Sequence, residues 1–175
     1  MDDSSFSLAW LAEWREQINE AVTALLTHFE DDYGYRPGAN EVRAADEDDL
    51  RAALDFSREP LAFTDLAAFY SSVGEVSLPD IGNGYFIHSA RQVLHQLAEE
   101  GPVFLPESDD PQGMVIASNG GGQLYAADWG GAIHRSRTAS QESEFDRVAD
   151  DLPAFLDLVR RAVLRFTRSG EPGLV

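Results

Sequence analysis

The chain has 175 residues and a formal net charge of −18, because 31 acidic side chains face only 13 basic ones. All the basic residues are arginine and cysteine is absent, which excludes disulfides, thiolate nucleophiles, cysteine-held metals and lysine chemistry such as Schiff-base formation. The charge also argues against nucleic acid and anionic membranes as partners, since both attract clustered cations.

The length predicts a single domain over 1–175. We divide it into a helical N-terminal part, 1–60, and a sheet-containing core with a closing helix, 61–168. No apolar run approaches the roughly 20 residues of a membrane span. The start, Met1-Asp2-Asp3, lacks the basic residues of a signal peptide. We therefore expect a cytoplasmic protein.

The first predicted element is a long helix over 5–32, with Asp2 and Asp3 before its positive N-terminus. Its apolar residues recur at three- and four-residue spacing and form one stripe, namely Leu8, Leu11, Trp14, Ile18, Ala21, Leu25 and Phe29. A short helix is predicted over 46–55 and another over 64–73, where Thr64 is a suitable N-cap.

Short strands are predicted in the middle of the chain, over 75–78, 85–88 and 103–105. Between the last two of them, Ser89 is predicted to cap a helix that runs through Glu100, and Gly101 is a suitable C′ residue.

The clearest β pattern follows, with strands over 114–118, 123–129 and 132–137 joined by glycine-rich turns. A closing helix over 152–168 begins after the cap Asp151. Together these elements predict an α+β fold, in which helices pack against an antiparallel sheet.

The element order and three local patterns resemble the SUKH superfamily, the group built around the Smi/Knr cell-wall regulators. The patterns cover about 60–166, and they are Phe69-Tyr70 through Asn83-Gly84-Tyr85-Phe86, Asn119-Gly120-Gly121-Gly122 with Leu124-Tyr125-Ala126, and Phe145 through Phe155-Leu156. The resemblance implies a compact domain without catalysis of its own. Bacterial members resemble immunity proteins that neutralise toxins, often nucleases, whereas fungal members resemble signalling scaffolds.

The residues themselves offer little for catalysis or metal binding. The four histidines lack the i, i+4 spacing of a helical metal pair. His28 is predicted to be a surface residue, and strand alternation predicts that His134 faces solvent. No Gly-x-Ser-x-Gly elbow surrounds Ser118. We therefore expect no catalytic residue, no metal and no cofactor, while an enzyme remains a third class of hypothesis.

Two other patterns have simple structural interpretations. A phosphate-binding loop needs a helix after its glycines, but a strand pattern follows Gly120-Gly121-Gly122, which favours a hairpin turn. The acidic run 46–49 lacks the alternating spacing of a calcium loop.

The charge suggests a basic partner, because acidic surfaces attract cationic proteins and speed their association. An acidic protein in the cleft of a nuclease would mimic its substrate's phosphates. A competing explanation of the acidic, arginine-only composition is that the protein comes from a GC-rich genome or a salt-tolerant cell.

We predict a non-catalytic binding module, most simply an immunity protein against a basic toxin, with a cytosolic scaffold as the alternative. The predicted contact residues lie on the sheet face and its turns, and they are Asp80, Asn83, Asn119, Asp128 and Trp129. Tyr85 and Tyr125 are predicted to pack in the core. Trp129 is placed either at the core edge or in the interface.

Overall fold

A computed structural model describes residues 6–58 and 64–175. The predicted fold class is confirmed, since within these residues one antiparallel sheet of eight strands is covered by helices. Seven strands follow the order β1-β2-β3-β5-β6-β7-β8, and the short β4 pairs with the first part of β5. The predicted boundary at 60/61 and the pair Asp2-Asp3 lie outside the described residues.

The helices follow local capping signals. Their bounds are α1 Leu8–Leu26, α2 Phe29–Tyr33, α3 Glu47–Phe56, α4 Thr64–Ser72, α5 Ala90–Glu100 and α6 Leu152–Ser169. The side chain of Ser89 accepts from the Gln92 amide, and that of Asp151 from the Ala154 amide, so both predicted caps are confirmed. A third cap, Asp46, forms a capping box with Asp49.

The strands are β1 Glu41–Ala44, β2 Val73–Leu78, β3 Tyr85–Ile87, β4 Val103–Phe104, β5 Gln112–Asn119, β6 Leu124–Asp128, β7 Ile133–Ser136 and β8 Phe145–Ala149. The predicted meander corresponds to β5, β6 and β7. Both glycine-rich turns are confirmed, and their positive φ angles fall at Gly122 and Gly131.

The predicted helix over 5–32 is interrupted at its end. The hydroxyl of Thr27 bonds back to the carbonyl of Thr23, and α2 then begins at Phe29. Phe29 is buried and stacks on Tyr33, with ring centroids 4.5 Å apart. The predicted apolar stripe is wrong at Leu8, which is 62% exposed, and Val22 completes the buried face instead.

The two outer strands, β1 and β8, were not predicted, so the N-terminal part is not purely helical. Side chains from other elements protect their edges. Asn19 of α1 donates to the Val42 carbonyl at 2.9 Å and accepts from its amide at 2.8 Å, as a neighbouring strand would. The carboxylate of Glu107 accepts from the Arg147 amide of β8 at 3.2 Å. Such contacts discourage pairing with another chain.

Replacing Asn19 by alanine is therefore expected to lower the free energy of unfolding by about 2 kcal/mol, because two half-buried backbone groups of Val42 lose their partners. Urea denaturation measures this change. The matched control is Gln17→Ala on the same helix, whose side chain makes exposed or half-buried side-chain contacts only. Equal effects of the two substitutions would contradict the edge role of Asn19.

The sheet has two unequal apolar faces. The front face carries the main core, which extends from Leu11 to Val175 and contains residues of five helices. The back face carries a smaller cluster near β7, formed by Val103, Leu105, Val115, Ala126 and Phe145. Both faces are therefore covered at that end of the sheet, which decides the environment of the site residues below.

Candidate binding surface

The five predicted contact residues fall at opposite ends of the sheet. Asn119 pairs with Tyr85 at the last position of β5, close to the β2–β3 turn that holds Asn83. Asp128 pairs with Gly113 near the first position of β5. Six residue steps along β5 separate Gly113 from Asn119, and they span roughly 20 Å at about 3.3 Å per residue. One compact partner contact therefore does not include all five residues.

At the first end, the polar side chains build the turns. The carboxylate of Asp80 accepts from the Gly38 amide and from the Asn40 side chain, both at 2.8 Å. The side-chain oxygen of Asn119 accepts from the amides of Gly121 and Gln123 at 3.0 and 3.1 Å. Asp80 and Asn119 are half-buried, and Asn83 is exposed. The internal bonds leave Asp80 and Asn119 with little freedom to contact a partner.

The predicted core positions of Tyr85 and Tyr125 are confirmed, at 5% and 3% exposure. Their hydroxyls donate to the carbonyls of Gly173 and Val175, at 3.3 and 3.1 Å. Burial raises the pKa of both phenols. These tyrosines hold the last residues of the chain against the front of the sheet.

At the second end, Asp128 is buried, and each of its carboxylate oxygens has a hydrogen-bond partner inside the protein. One oxygen accepts from the Ala132 amide at 3.0 Å, across the β6–β7 turn, and the other lies 2.8 Å from His134 Nε2. The side chain of Asp128 is only 6% exposed. Asp128 therefore shapes the turn that presents Trp129.

The predicted exposure of His134 is wrong, because its side chain is completely buried. Alternation places it on the back of the sheet, but the smaller apolar cluster covers the back face there. Burial raises the pKa of Asp128, yet the hydrogen bonds from His134, Ser108 and the Ala132 amide together lower it more, leaving it below its ordinary value. His134 Nδ1 has no hydrogen-bond partner among the described residues.

Trp129 is half exposed at the start of the β6–β7 turn. It lines a cleft of about 400 Å³ with three exposed acidic side chains, Glu107, Asp109 and Asp110. In the described part of the chain, none of these three carboxylates has a cation within ion-pair distance. Arg147, which pairs with Asp150, also lines the cleft. The cleft therefore combines an aromatic ring with three carboxylates that form no ion pair with a described residue and one arginine.

Phe104, which the sequence did not single out, is 66% exposed at the same end of the sheet. It pairs with Gln112 on one side of β5, and Trp129 follows Asp128 on the other side. Two strand spacings place the Cα atoms of Phe104 and Trp129 about 10 Å apart. We call Phe104, Trp129 and the acidic residues Glu107, Asp109 and Asp110 the aromatic–acidic end.

One histidine–serine pair does form. His88 Nε2 lies 2.9 Å from the hydroxyl of Ser118, where β3 meets β5. Burial lowers the pKa of His88. No hydrogen bond joins His88 to a carboxylate among the described residues, so the orienting third member of a catalytic triad is absent from this part of the chain. His28 is exposed, as predicted.

Comparison with family models, with curated proteins and with solved structures finds no match to this chain. Within 6–58 and 64–175, no helix is both long and apolar enough to cross a membrane. Among the same residues, no group of three or more acidic or histidine side chains is arranged to hold a metal ion.

Proposed function

We propose that this chain is a non-catalytic, cytoplasmic protein-binding module of the SUKH type, and that it binds and neutralises a basic toxin, a nuclease being one candidate. The observation that carries the proposal is the aromatic–acidic end, where the exposed ring of Trp129 shares a cleft with three carboxylates that form no ion pair within the described chain, and the exposed ring of Phe104 lies at the same end of the sheet. A surface of this kind is complementary to a cationic protein.

The physical basis has two parts. Aromatic side chains are enriched among the few residues that supply most of the energy of an interface. An arginine of the partner placed over Trp129 would form a cation–π interaction, and the neighbouring carboxylates would attract its positive charge. The net charge of −18 adds long-range attraction for a basic protein.

A second candidate function, a cytosolic scaffold without a toxin partner, draws on the same acidic surface. The two functions differ in the number and strength of partners. A toxin antagonist binds one basic protein tightly, with an association rate that falls as salt rises. A scaffold binds several proteins weakly.

The test is a pull-down from the native cytosol, and from strains that express the neighbouring genes, at low and moderate salt. We expect one stoichiometric basic protein whose toxicity this chain relieves. Several weakly bound proteins, none of them toxic, would instead favour the scaffold. An empty pull-down at both salt concentrations would contradict the toxin proposal.

The contact residues are tested on the captured protein. Trp129→Ala and Phe104→Ala are each expected to weaken its binding about 30-fold, the size of a hot-spot loss of roughly 2 kcal/mol. Leu54→Ala is the matched control, because Leu54 is 65% exposed on α3, outside the aromatic–acidic end. Binding that is equally strong for all three variants would exclude this surface. Calorimetry or surface plasmon resonance measures the affinities.

A further inference from the structure

The outer face of α1 and α6 carries two stripes of opposite charge. Glu13, Glu16 and Glu20 repeat along the exposed side of α1, and Arg161, Arg165 and Arg168 repeat along the exposed side of α6. Three- and four-residue spacing places each set on one side of its helix. We call this surface the α1/α6 face.

A groove separates the two stripes. It has a volume of about 700 Å³ and a floor of small and apolar residues, among them Ala21, Ala24 and Leu164. Glu20 and Arg168 lie on its two walls. Two further hollows continue the surface, one lined by the three glutamates and the other by the three arginines.

The two helices run in the same direction and in a fixed register. Trp14 Nε1 donates to the Leu156 carbonyl at 2.8 Å, and Arg160 donates to Gln17 at 3.2 Å. With this offset, Arg161 lies between the heights of Glu16 and Glu20. Each height difference is about 3 Å at 1.5 Å per residue.

We propose that the α1/α6 face is a self-complementary interface that binds a second copy of this chain. A twofold axis parallel to the helices, in the plane of the face, exchanges the left and right stripes and keeps every height unchanged. The acidic stripe of each copy then lies opposite the basic stripe of the other. The contact is isologous, so each favourable charge pair occurs twice.

The charges on this face leave capacity for such pairs. None of Glu13, Glu16 and Glu20 has a cation within ion-pair distance among the described residues. On α6, Arg161 forms an ion pair with Asp157. Arg165 forms an ion pair with Glu171 at 2.9 Å, and both side chains of this second pair are mostly exposed. The acidic stripe is thus the unneutralised half of the surface.

The dimensions predict a weak dimer. Two helices, each about 28 Å long and 10 Å wide, bury roughly 1,100 Å² in total, just below the range of stable interfaces. The net charge of −18 on each copy opposes association at long range. Salt screens that repulsion before it weakens the close pairs. We therefore expect a micromolar dissociation constant and the strongest association at intermediate salt.

The test is a charge exchange between two variants. Glu16→Arg/Glu20→Arg reverses two of the three charges of the acidic stripe and makes the face mainly basic. Arg161→Glu/Arg165→Glu reverses two of the three charges of the basic stripe and makes the face mainly acidic. Each variant alone opposes like charges and is expected to be monomeric. In their equimolar mixture, the basic face of one variant meets the acidic face of the other at both stripe contacts. This heterodimer is expected to form at least about tenfold more tightly than the wild-type dimer.

Sedimentation equilibrium measures the masses at low, intermediate and high salt, against a monomer mass of 19.3 kDa. Glu99→Arg/Glu142→Arg changes the net charge as much as the double glutamate variant but lies off the α1/α6 face, and it should retain the wild-type dimer. Circular dichroism and thermal unfolding confirm that each variant is folded. A wild-type chain that stays monomeric at every salt, a mixture that fails to associate, or masses above the dimer would overturn the proposal.

Discussion

Replacing Asp128 by alanine is expected to lower the free energy of unfolding by about 3 kcal/mol, because it leaves buried polar groups without partners. His134 Nε2 and the Ala132 amide lose the carboxylate, and His134 Nδ1 already lacks a hydrogen bond among the described residues. Urea denaturation at neutral pH measures the loss. Asp109→Ala is the matched control, since Asp109 is exposed, and it should change stability by less than about 0.5 kcal/mol.

The same carboxylate also gives a pH dependence of known sign. The pKa of Asp128 is lower in the folded protein than its ordinary value, so its ionised form stabilises the fold. That contribution is complete above an unfolded pKa of about 3.9 and disappears as the pH falls through the folded pKa. The stability difference between the wild type and Asp128→Asn should therefore narrow below about pH 4. A difference that stays constant across that range would contradict the assigned role of the charge.

A second large effect is expected at the β5–β6 turn. Gly120 lies so close to the β2–β3 turn that an added Cβ atom would sit 2.0 Å from the Asn83 carbonyl oxygen. The obstacle is backbone, which no side-chain rotation can relieve. We expect Gly120→Ala to cost about 3 kcal/mol, at the upper end of ordinary overpacking.

Gly121→Ala in the same turn is the matched control, since its nearest neighbour is a side-chain oxygen 3.4 Å away and its φ is not positive. It should leave thermal and urea unfolding nearly unchanged. If both glycines tolerated alanine equally, the close approach of the two turns would not contribute to stability.

Comparing Asp128→Ala with Trp129→Ala separates the stability of the binding surface from its direct contact with a partner. Asp128 supports the turn that presents Trp129, so its loss should weaken partner binding through local disorder. Trp129→Ala should weaken binding without a comparable loss of stability, because the ring is half exposed. Measuring both quantities on both variants distinguishes a supporting residue from a contact residue.

Signals between residues near one another in the chain predicted much of this fold from the sequence. The caps Ser89 and Asp151, the glycine turns at 119–122 and 130–131, and the apolar stripe of α6 act over a few residues. These signals depend little on distant parts of the chain. They placed the meander and the closing helix, and with them the α+β class. Composition by itself excluded cysteine and lysine chemistry and established the strongly acidic character.

Only the tertiary structure decided the features that depend on distant partners. Strand β1 is short, and it pairs with β2 about 30 residues later in the chain while Asn19 covers its edge. His134 is buried because segments far from it in sequence cover the back of the sheet. Alternation within one strand predicts which face a residue lies on, but not whether other segments cover that face. The sequence analysis placed Asn119 and Asp128 in one contact surface because both lie next to turns. Strand pairing shows that they lie at opposite ends of β5. The pairing of Phe104 with Gln112, which puts an exposed ring close to Trp129, is likewise a long-range contact.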